Sequence, residues 1–383
     1  ITIDGEIGPF PLSVPIVDIH TIGAGGGSIA SVTAEGGLLV GPHSAGADPG
    51  PACYGKGGEL PTVTDANLLL GRIPPCLLDG EIEIDPALAK AAIDEYVAGP
   101  LGISTVDAAL GILAIVNNTM VGALKVMSVE KGLDPADFVL AAFGGAGPVH
   151  GGELARLLGT KKLLVPSHPG LLCATGLLAT DLQYDFVRTR VQRPPHYDVG
   201  AIDHCFRELY RDAEVRLEVE NVALARRRYR RSADVRYTRQ GVEITVDVAE
   251  GDINQAAIAR LIEDFHDLHE RLYTFADRTA AVEIVNFRIT ATGVMEKVSL
   301  PELIGSDEAS EISGGRLVHF GSSSFEDTPV YRRESLLAGQ SIRGPAIVDQ
   351  LDATTVLLPG QTAAVSSHGS LLITENGAEA HDQ

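Results

Sequence analysis

The sequence predicts an α/β protein whose first part is followed by a mixed α+β and then β-rich part, and three observations lead to this class. In the glycine-rich stretch from Ile1 to about Thr180, β-like runs alternate with helical runs. Charged amphipathic helices and strands follow, and short strands and turns occupy the chain from about Gly315. The length of 383 residues favours two domains. We therefore place a boundary near Thr180 and expect domains at residues 1–180 and 181–383.

The first predicted domain opens on a strand-like run, ITIDGEI. Residues 36–58 hold so much glycine and proline that we expect a long ordered loop there. A long helix is expected over residues 104–131, because Ser104 and Asp107 form a capping-box pattern and Lys131 and Gly132 are typical of a helix end. DFVLAAFGGAGPVHGGELARLLG then predicts a strand, a glycine turn and a helix, and KKLLVP predicts another strand.

The second predicted domain is richer in charged residues than the first. HCFRELYRDAEVRLEVE predicts an amphipathic helix, and RRYRRSADVRYTRQGVEITVDV predicts two strands joined near Gly241. INQAAIARLIEDFHDLHERLY predicts a second amphipathic helix, and VEIVNFRITATG predicts a strand. The chain ends in a polar tail, ENGAEAHDQ, and shows no internal repeat.

The formal charge of −21 at pH 7 limits the partners that the chain can have. Proteins that bind nucleic acid normally carry the opposite sign, so nucleic acid is not expected as a partner. A small anion such as ATP remains compatible, because backbone amides at a helix start bind phosphate without a net basic charge. The arginine-rich run at residues 226–231 is interpreted as a solvated face or an interface that pairs with acidic neighbours, with nucleic-acid binding as the alternative.

Cysteine spacing and hydropathy favour a cytoplasmic protein without a membrane partner. The longest apolar run, LGILAIVNNTMVGALKVMSV, is interrupted by Asn117, Asn118 and Lys125, so we expect a buried helix and not a membrane span. No signal-peptide pattern is present. The cysteines form no CxxC pair, which is typical of free thiols in a reducing compartment. They are Cys53, Cys76, Cys173 and Cys205.

Residues 17–32, VDIHTIGAGGGSIASV, combine an aspartate and a histidine with a cluster of glycines. Glycines let a ligand approach the backbone, and their amides can form an anion nest. Asp18 and His20 alternate on an extended chain and so face one side, which suits a carboxylate base or a metal pair. The alternative is structural, with Asp18 capping the loop amides and His20 as a buried histidine.

FGGAGPVHGGELARLLG is the second glycine-rich candidate. A strand would run into the glycines, and Pro148 is typical of a first helical turn. The pattern resembles nucleotide sites in which glycines lie flat against adenine or ribose, although the GxGxxG spacing is absent. Gly151 and Gly152 would weaken an exposed helix, so they indicate either close helix packing or close ligand approach.

The remaining candidates carry less specific signals. In PTVTDANLLLGRIPP, Asp65 stands at a helix start as either an N-cap or an active-site carboxylate. His266 and His269 form an HDLH pattern on a helix, but no third ligand accompanies them, so a metal is not favoured. Cys173 has no basic neighbour in sequence that would lower its pKa, so it is not expected to be a nucleophile. No GxSxG, HExxH or Walker motif occurs.

Four stretches together resemble the hydantoinase A / 5-oxoprolinase family: VDIHTIGAGGGSIA, GPHSAGADPGPACYGKGGELPTVTDANLLLGRI, AAFGGAGPVHGGELARLLG and RGPAIVDQLDATTVLLPG. The resemblance runs through nearly the whole chain and is densest in residues 16–73 and 140–180. RYTRQGVEITV and VEIVNFRITATG are similar to the family's C-terminal part. The resemblance implies a partial actin/hexokinase/Hsp70-like (ribonuclease H-like) ATPase core followed by an α+β, β-rich C-terminal domain.

This resemblance also implies a chemistry. The family includes ATP-dependent ring openers of hydantoins and 5-oxoproline, and related subunits of acetone and acetophenone carboxylases. Their shared step is phosphorylation of a carbonyl or amide oxygen by ATP, with Mg²⁺ neutralising the phosphate charge. The resemblance therefore implies ATP and Mg as cofactors and a small cyclic amide as substrate. A carboxylase subunit and a non-catalytic scaffold subunit are the alternatives.

Carried over residue by residue, the resemblance assigns the candidate site. Asp18 is the first candidate for an acid/base or metal-orienting carboxylate, followed by His20 and by Asp65 of the TDAN motif. The metal ligands themselves are left open. The late glycine motif would contact adenosine, and the middle glycine motif would lie where substrate and γ-phosphate meet. The late motif comprises Gly144, Gly145 and Gly147, and the middle motif comprises Gly25, Gly26, Gly27 and Ser28.

The chain departs from the family pattern at its beginning. Complete members carry a DxGGTxTD phosphate loop and a second, DMGGTSTD-like loop before the VDIHTIGAGGGS stretch, and neither pattern occurs here. The chain also begins with isoleucine, directly on a strand-like run. The resemblance therefore implies the C-terminal half or more of a family member. Its partner for ATP turnover would be an N-terminal hydantoinase A region or a separate subunit, with a hydantoinase B-like subunit as a second candidate partner.

Overall fold

The computed structural model describes residues 5–7, 10–12, 17–306 and 308–375. The chain forms two compact units: the first comprises Ile1–Ala174 and Leu300–Gln383, and the second comprises Thr175–Ser299. This grouping differs from the predicted domains 1–180 and 181–383, because the C-terminal segment belongs with the first unit. The physical reason is strand pairing, since strands from both ends of the first unit share one sheet.

Most strands are short. In chain order, the described strands are β1 (Gly5–Ile7), β2 (Phe10–Leu12), β3 (Ser28–Val32), β4 (Leu38–Ser44), β5 (Cys76–Leu77), β6 (Ile82–Glu83), β7 (Val139–Ala141), β8 (Lys162–Val165), β9 (Leu182–Gln192), β10 (Arg227–Tyr237), β11 (Ile244–Val248), β12 (Val282–Gly293), β13 (Gly314–Val318), β14 (Glu326–Arg332), β15 (Ser341–Arg343), β16 (Ala346–Asp349), β17 (Thr354–Leu357), β18 (Gln361–Val365) and β19 (Leu371–Glu375).

The helices differ widely in length, from one turn to six. In chain order, the described helices are α1 (Val63–Leu69), α2 (Pro86–Ile93), α3 (Gly99–Leu101), α4 (Thr105–Met127), α5 (Gly147–Leu158), α6 (Leu172–Ala179), α7 (Val199–Val219) and α8 (Gln255–Tyr273).

The first unit contains a mixed five-stranded sheet in the order β15-β18-β19-β8-β7. β7 and β8 are parallel, as expected for strands connected through a helix, whereas β8 pairs antiparallel with β19 and places Leu163 opposite Ile373. A second, four-stranded sheet has the order β13-β14-β16-β17, and β3 and β4 form a two-stranded sheet. The C-terminal strands thus complete the core of the unit that the N-terminal residues begin.

α4 is the central helix of the first unit and confirms the long helix predicted from residue 104. The Ser104 Oγ accepts a hydrogen bond from the Asp107 amide, and the Ser104 hydroxyl donates to the Asp107 carboxylate at 2.7 Å. The helix ends at Met127, and a 3₁₀ turn over Val129–Lys131 is closed by Gly132 with φ of 75°. The cap and the left-handed glycine therefore delimit this segment as its sequence indicates.

By length and composition alone, Thr105–Lys131 is the one segment of the described chain that passes as a candidate membrane-crossing helix. One face of α4 nevertheless lies in the hydrophobic core, with Ile112, Leu113 and Val116 almost fully buried. That buried face agrees with the core helix expected from the polar interruptions in its sequence.

The second unit is an antiparallel sheet in the order β11-β10-β12-β9 with α7 and α8 packed against it. Asp198 and Asn254 cap the two helices through their side-chain oxygens. Phe206 of α7 meets Phe287 of β12 edge to face, with ring centroids 5.3 Å apart. The helices and strands predicted for this stretch are confirmed.

The long loop predicted at residues 36–58 is wrong for Leu38–Ser44, which form β4 and pair with β3. Glycine and proline concealed this strand. Gly41 has a φ of 75°, and a Cβ on it would lie 2.4 Å from the Gly23 carbonyl oxygen. Glycine is therefore needed at position 41 because two chain segments lie close together there. Counting loop-forming residues cannot distinguish such a strand from a loop. At the chain start, β1 lies within ITIDGEI, whose first four residues are outside the described ranges.

Candidate active-site cavity

A cavity of about 720 Å³ lies within the first unit. Its walls include Gly26 and Gly27 of the middle glycine motif, the helix α1, and Gly145, which lies two residues before α5. Residues of β13, β14 and the β16–β17 turn close the opposite side. The volume is in the range of small-molecule sites. Tertiary structure thus brings to one cavity two glycine motifs that are far apart in sequence.

Internal hydrogen bonds hold the middle glycine loop in place. The Gly25 amide donates to Ser28 Oγ at 2.9 Å, and the Ser28 amide donates to the Gly25 carbonyl at 3.1 Å. The Thr64 amide and hydroxyl both donate to the Gly26 carbonyl, which ties the loop to α1. A Cβ on Gly26 would lie 2.9 Å from Thr64 Oγ1, so glycine is required for this contact. Two of the loop amides are therefore occupied by the loop itself.

The late glycine loop has the strand–turn–helix form that its sequence predicts. Gly144 has a φ of 77°, and its amide donates to the Pro169 carbonyl at 2.7 Å. Gly147 is the first residue of α5, with Pro148 in the first turn. Gly145 lines the cavity. This loop therefore places backbone, without a side chain in the way, at the cavity wall.

Close packing explains the glycine pair inside α5. A Cβ on Gly151 would lie 3.0 Å from the Ala142 Cβ and 3.1 Å from Leu163 Cδ2. A Cβ on Gly152 would lie 2.8 Å from Gln361 Oε1. Of the two alternatives left by the sequence, the structure favours close helix packing against the sheet.

Asp65 organises the loop that precedes α1. Thr62 is the N-cap of this helix, and Asp65 is the reciprocal partner in a capping box. Its buried carboxylate accepts hydrogen bonds from the amides of Ala52, Cys53 and Thr62 and from the Thr62 hydroxyl. These contacts describe a structural role, and a catalytic role for Asp65 stays a prediction.

Asp18 and His20 lie at the surface of the first unit, and neither is among the side chains that line the cavity. The Asp18 carboxylate pairs with the Lys131 ammonium, where both side chains are more than two-fifths exposed. His20 is exposed, so the alternative of a buried, structural histidine is wrong. The catalytic roles that the resemblance implies for Asp18 and His20 stay predictions.

A network of hydrogen-bonded polar side chains, which the sequence did not reveal, ends at a histidine that lines the cavity. Arg72 Nη2 donates to Glu153 Oε1 at 3.0 Å, and Glu153 Oε2 accepts a hydrogen bond from Asn117 Nδ2. Asn117 Oδ1 lies 2.7 Å from Nδ1 of His150, which lines the cavity. The available signal was Asn117, a polar residue on the apolar face of α4, since a buried amide requires hydrogen-bond partners.

This network determines the tautomer of His150. The Glu153 carboxylate, paired with Arg72, accepts hydrogen bonds, so Asn117 presents its amide nitrogen to Glu153 and its oxygen to His150. His150 Nδ1 therefore donates, and Nε2 is left as an unprotonated acceptor. Burial, and then the nearby Arg72 guanidinium, lower the pKa of His150 to about 4, against the opposing effect of Glu153. His150 is accordingly neutral at pH 7.

The other candidate residues have structural contacts. In the second unit, His266 Nδ1 lies 2.8 Å from the Tyr237 hydroxyl, and His269 Nδ1 lies 2.8 Å from the Phe275 carbonyl oxygen. Both histidines are buried, and no group of three His, Cys, Asp or Glu side chains in the described chain could hold a metal. The structure gives these two histidines packing and hydrogen-bonding roles in the core of the second unit.

The cysteines agree with their interpretation as free thiols, and the arginine run agrees with its interpretation as a face that pairs with acidic neighbours. All four cysteines are free, and burial raises the pKa of the Cys53 thiol, so this thiol is unreactive. In the arginine run, Arg226 lies 3.6 Å from Glu296 and Arg230 lies 3.7 Å from Asp247. These exposed pairs support a solvated face with acidic neighbours.

The chain is a mixed α/β protein, and its match to solved structures gives it a fold of the actin-like ATPase type, which confirms the predicted fold class. The nucleotide-free structure of acetone carboxylase has the same fold, with a TM-score of 0.88. That match covers 97% of this chain and 55% of the other, and only 23% of the aligned residues are identical. At this level of identity the likeness shows the fold alone.

The chain belongs to the hydantoinase/oxoprolinase family. The hydantoinase/oxoprolinase family model matches residues 1–186, and the model of the family's C-terminal domain matches residues 196–375. The resemblance seen in the sequence is thereby confirmed, and the two models together span most of the chain.

Two relatives show how this chain is related to longer proteins. Caprolactamase subunit alpha of Pseudomonas jessenii is 34% identical over 378 residues, which is 97% of this chain and 54% of the relative. The crystal structure of that ATP-dependent caprolactamase matches with a TM-score of 0.75. Acetophenone carboxylase gamma subunit of Aromatoleum aromaticum is 33% identical over 387 residues, 94% of this chain and 51% of the relative. The chain thus spans about half the length of the curated relatives it matches.

Proposed function

We propose that this chain is part of an ATP-dependent cyclic amidase of the hydantoinase/5-oxoprolinase type. The enzyme would phosphorylate an amide carbonyl oxygen before water opens the ring. The observation that carries the proposal is the cavity where the two glycine motifs meet, in a chain that matches the family models over most of its length. The caprolactamase relative adds support, because caprolactam is a cyclic amide. We place the activity in the cytoplasm.

The cavity fits the nucleoside part of ATP better than its triphosphate. Its volume of about 720 Å³ is sufficient for adenosine. Two arginines line it, and both face nearby carboxylates, Arg316 with Asp349 and Arg332 with Glu334. A triphosphate needs several cationic groups or metal ions around it. We therefore assign adenosine to the late glycine loop, and the phosphate loops to an N-terminal hydantoinase A region or a separate subunit.

An amide carbon is a poor electrophile, and ATP would activate it. Phosphorylation of the amide oxygen makes the carbon electrophilic enough for water to attack. Mg²⁺ would neutralise the phosphate charge, but we assign no magnesium ligand to the described residues. This chain's own residues would bind the nucleoside and enclose the amide. Asp18 and His20 would hold or move a proton once a partner, N-terminal or hydantoinase B-like, covers their exposed surface.

The test uses the complete enzyme, in which this chain is joined to or co-expressed with an N-terminal hydantoinase A region. Phosphate release from ATP is measured with caprolactam, hydantoin or 5-oxoproline and without them. We expect one of these cyclic amides to stimulate ATP cleavage and to appear as the ring-opened product. ATP cleavage that no cyclic amide stimulates would overturn the proposal.

A carboxylase subunit is the second candidate function, and the similarity to acetophenone carboxylase gamma subunit favours it. In that case ATP use would depend on a ketone and bicarbonate. Incorporation of labelled bicarbonate into product, without hydrolysis of any cyclic amide, distinguishes this function from the first. A partner that is fully active without this chain would instead indicate a scaffold role.

A further inference from the structure

Three described side chains at the cavity wall carry an acceptor without a hydrogen-bond partner; His150 and Asn67 are buried, whereas Gln350 is partly exposed. His150 is 2% exposed and Asn67 is 4% exposed, and both line the cavity. Within the described part of the chain, His150 Nε2 and Asn67 Oδ1 have no hydrogen-bond partner. A buried acceptor left unsatisfied costs about 1–3 kcal/mol, so two of them at one cavity indicate a ligand that donates hydrogen bonds.

The orientation of each acceptor is held by a contact on the side away from the cavity. Asn67 Nδ2 donates to the Val63 carbonyl oxygen at 3.1 Å, which leaves Oδ1 free. His150 donates through Nδ1 to Asn117 Oδ1, which leaves Nε2 as the acceptor. Because Glu153, paired with Arg72, holds Asn117 in turn, His150 Nε2 cannot become a donor without breaking a buried hydrogen bond. Asn67 cannot present its Nδ2 in place of Oδ1 without losing the bond to Val63.

The two acceptors, and the guanidinium behind them, disfavour two ligand classes at these two atoms. Two lone-pair acceptors repel a phosphate or a carboxylate, which would bring further lone pairs to them. A cation is disfavoured because the buried Arg72 guanidinium lies behind the network and lowers the pKa of His150. A neutral group with nitrogen-bound hydrogens meets both requirements.

We propose that His150 Nε2 and Asn67 Oδ1 form a recognition site for a neutral N–H or NH₂ donor of a small ligand. Two ligands of the proposed function carry such a group, the ring N–H of a cyclic amide and the 6-amino group of adenosine. The choice of these two rests on the proposed function, whereas the acceptor pair itself does not. This part of the cavity thus selects for a nitrogen donor.

The experiment measures binding to the chain as it exists, without turnover. Calorimetric titration compares caprolactam with N-methylcaprolactam, and adenosine with purine riboside, which lacks the 6-amino group. We expect at least one donor-bearing ligand to bind at least tenfold more tightly than its matched analogue. The pair that shows the difference identifies the source of the donor.

Variants connect that preference to the two acceptors. His150→Phe removes the acceptor and keeps an aromatic ring, and Asn67→Ala removes the second acceptor. Each is expected to reduce the tenfold preference to less than threefold. His196→Phe, at an exposed histidine of the second unit, is the control and should retain the preference. Circular dichroism before titration confirms that each variant is folded.

Nitrogen-15 NMR of the histidine rings provides a readout that does not depend on a variant's folding. We expect the His150 signals to show a proton on Nδ1 and none on Nε2 at pH 7.5, and the Nε2 signal to move when the preferred ligand is added. Equal binding within both ligand pairs, no binding of any of the four probes, or a proton on Nε2 would overturn the inference. Because ATP cleavage is not measured, a failed amidase assay leaves this result intact, and the converse also holds.

Discussion

Arg72 and Glu153 form a partly buried ion pair in the first unit, with Arg72 Nη2 3.0 Å from Glu153 Oε1. The Arg72 side chain is 2% exposed, and its Nε also donates to the His319 carbonyl oxygen at 3.4 Å. Glu153 completes its bonding through Asn117 and so holds the histidine at the cavity wall. This pair links the chain segment after α1 to α5 and is the anchor of the candidate site.

Glu153→Gln should destabilise the protein by about 3 kcal/mol, because it leaves the Arg72 charge buried without its counter-charge. Urea-induced unfolding measures the loss. The matched control is Asp203→Asn, which breaks the surface pair between Asp203 and the exposed Arg207 guanidinium and should cost less than about 1 kcal/mol. Equal losses in the two variants would contradict a structural role for the partly buried pair.

The stability of the protein should fall in mild acid because of His150. The pKa of His150 is about 4 in the folded chain, against 6.5 for an ordinary histidine, so the unfolded chain takes up the proton first as the pH falls. The free energy of unfolding should therefore decrease between pH 6.5 and pH 4, by about 3 kcal/mol from this group. Below pH 4 this contribution no longer changes.

Urea-induced unfolding of the wild type and of His150→Gln at pH 7, 5.5 and 4.5 measures that contribution. The variant lacks the buried imidazole, so its stability should depend less steeply on pH over this interval. The two proteins are identical outside this position, so the contribution of the rest of the chain cancels in the comparison. Parallel pH profiles would show that His150 is not the group responsible.

Two aspartates that share a catalytic prediction should differ in how much stability the protein loses when each is substituted. Asp65→Ala should cost about 3 kcal/mol of stability, because three amide donors and one hydroxyl lose their acceptor. Asp18→Ala should cost less than about 1 kcal/mol, because its pair with Lys131 is exposed. Thermal unfolding checks both values. In the complete enzyme, Asp18→Ala should lower kcat, and an unchanged kcat would remove Asp18 from the candidate site.

The effect on stability of replacing a helical glycine by alanine should depend on the space around its Cα. Gly151→Ala should destabilise the protein by about 1–3 kcal/mol, since its Cβ would crowd Ala142 and Leu163. Gly122→Ala, on the exposed face of α4 with no atom within 4 Å of the added Cβ, should be neutral or stabilising by up to about 1 kcal/mol. Unfolding in urea compares the two. A stabilised Gly151→Ala would contradict the close packing of α5 on β8.

Local signals in the sequence were sufficient for much of the fold. The cap at Ser104, the left-handed Gly132 and the proline at the start of α5 act over a few residues, and so helix ends could be predicted from them. Four family-like stretches taken together, and not the glycines alone, were sufficient for the family. The strand β4 was not predicted, because its glycine and proline make contacts with a distant segment and do not form a local turn.

The sequence by itself determined the class of the protein, its longer helices and the two glycine motifs, because these depend on neighbours along the chain. Tertiary structure alone decided that residues after 300 complete the first unit, since the pairing of Leu163 with Ile373 has no local signature. It also placed Asp18 and His20 at the surface and His150 at the cavity. The physical reason is that a buried polar side chain is oriented by partners that only folding brings within hydrogen-bond distance.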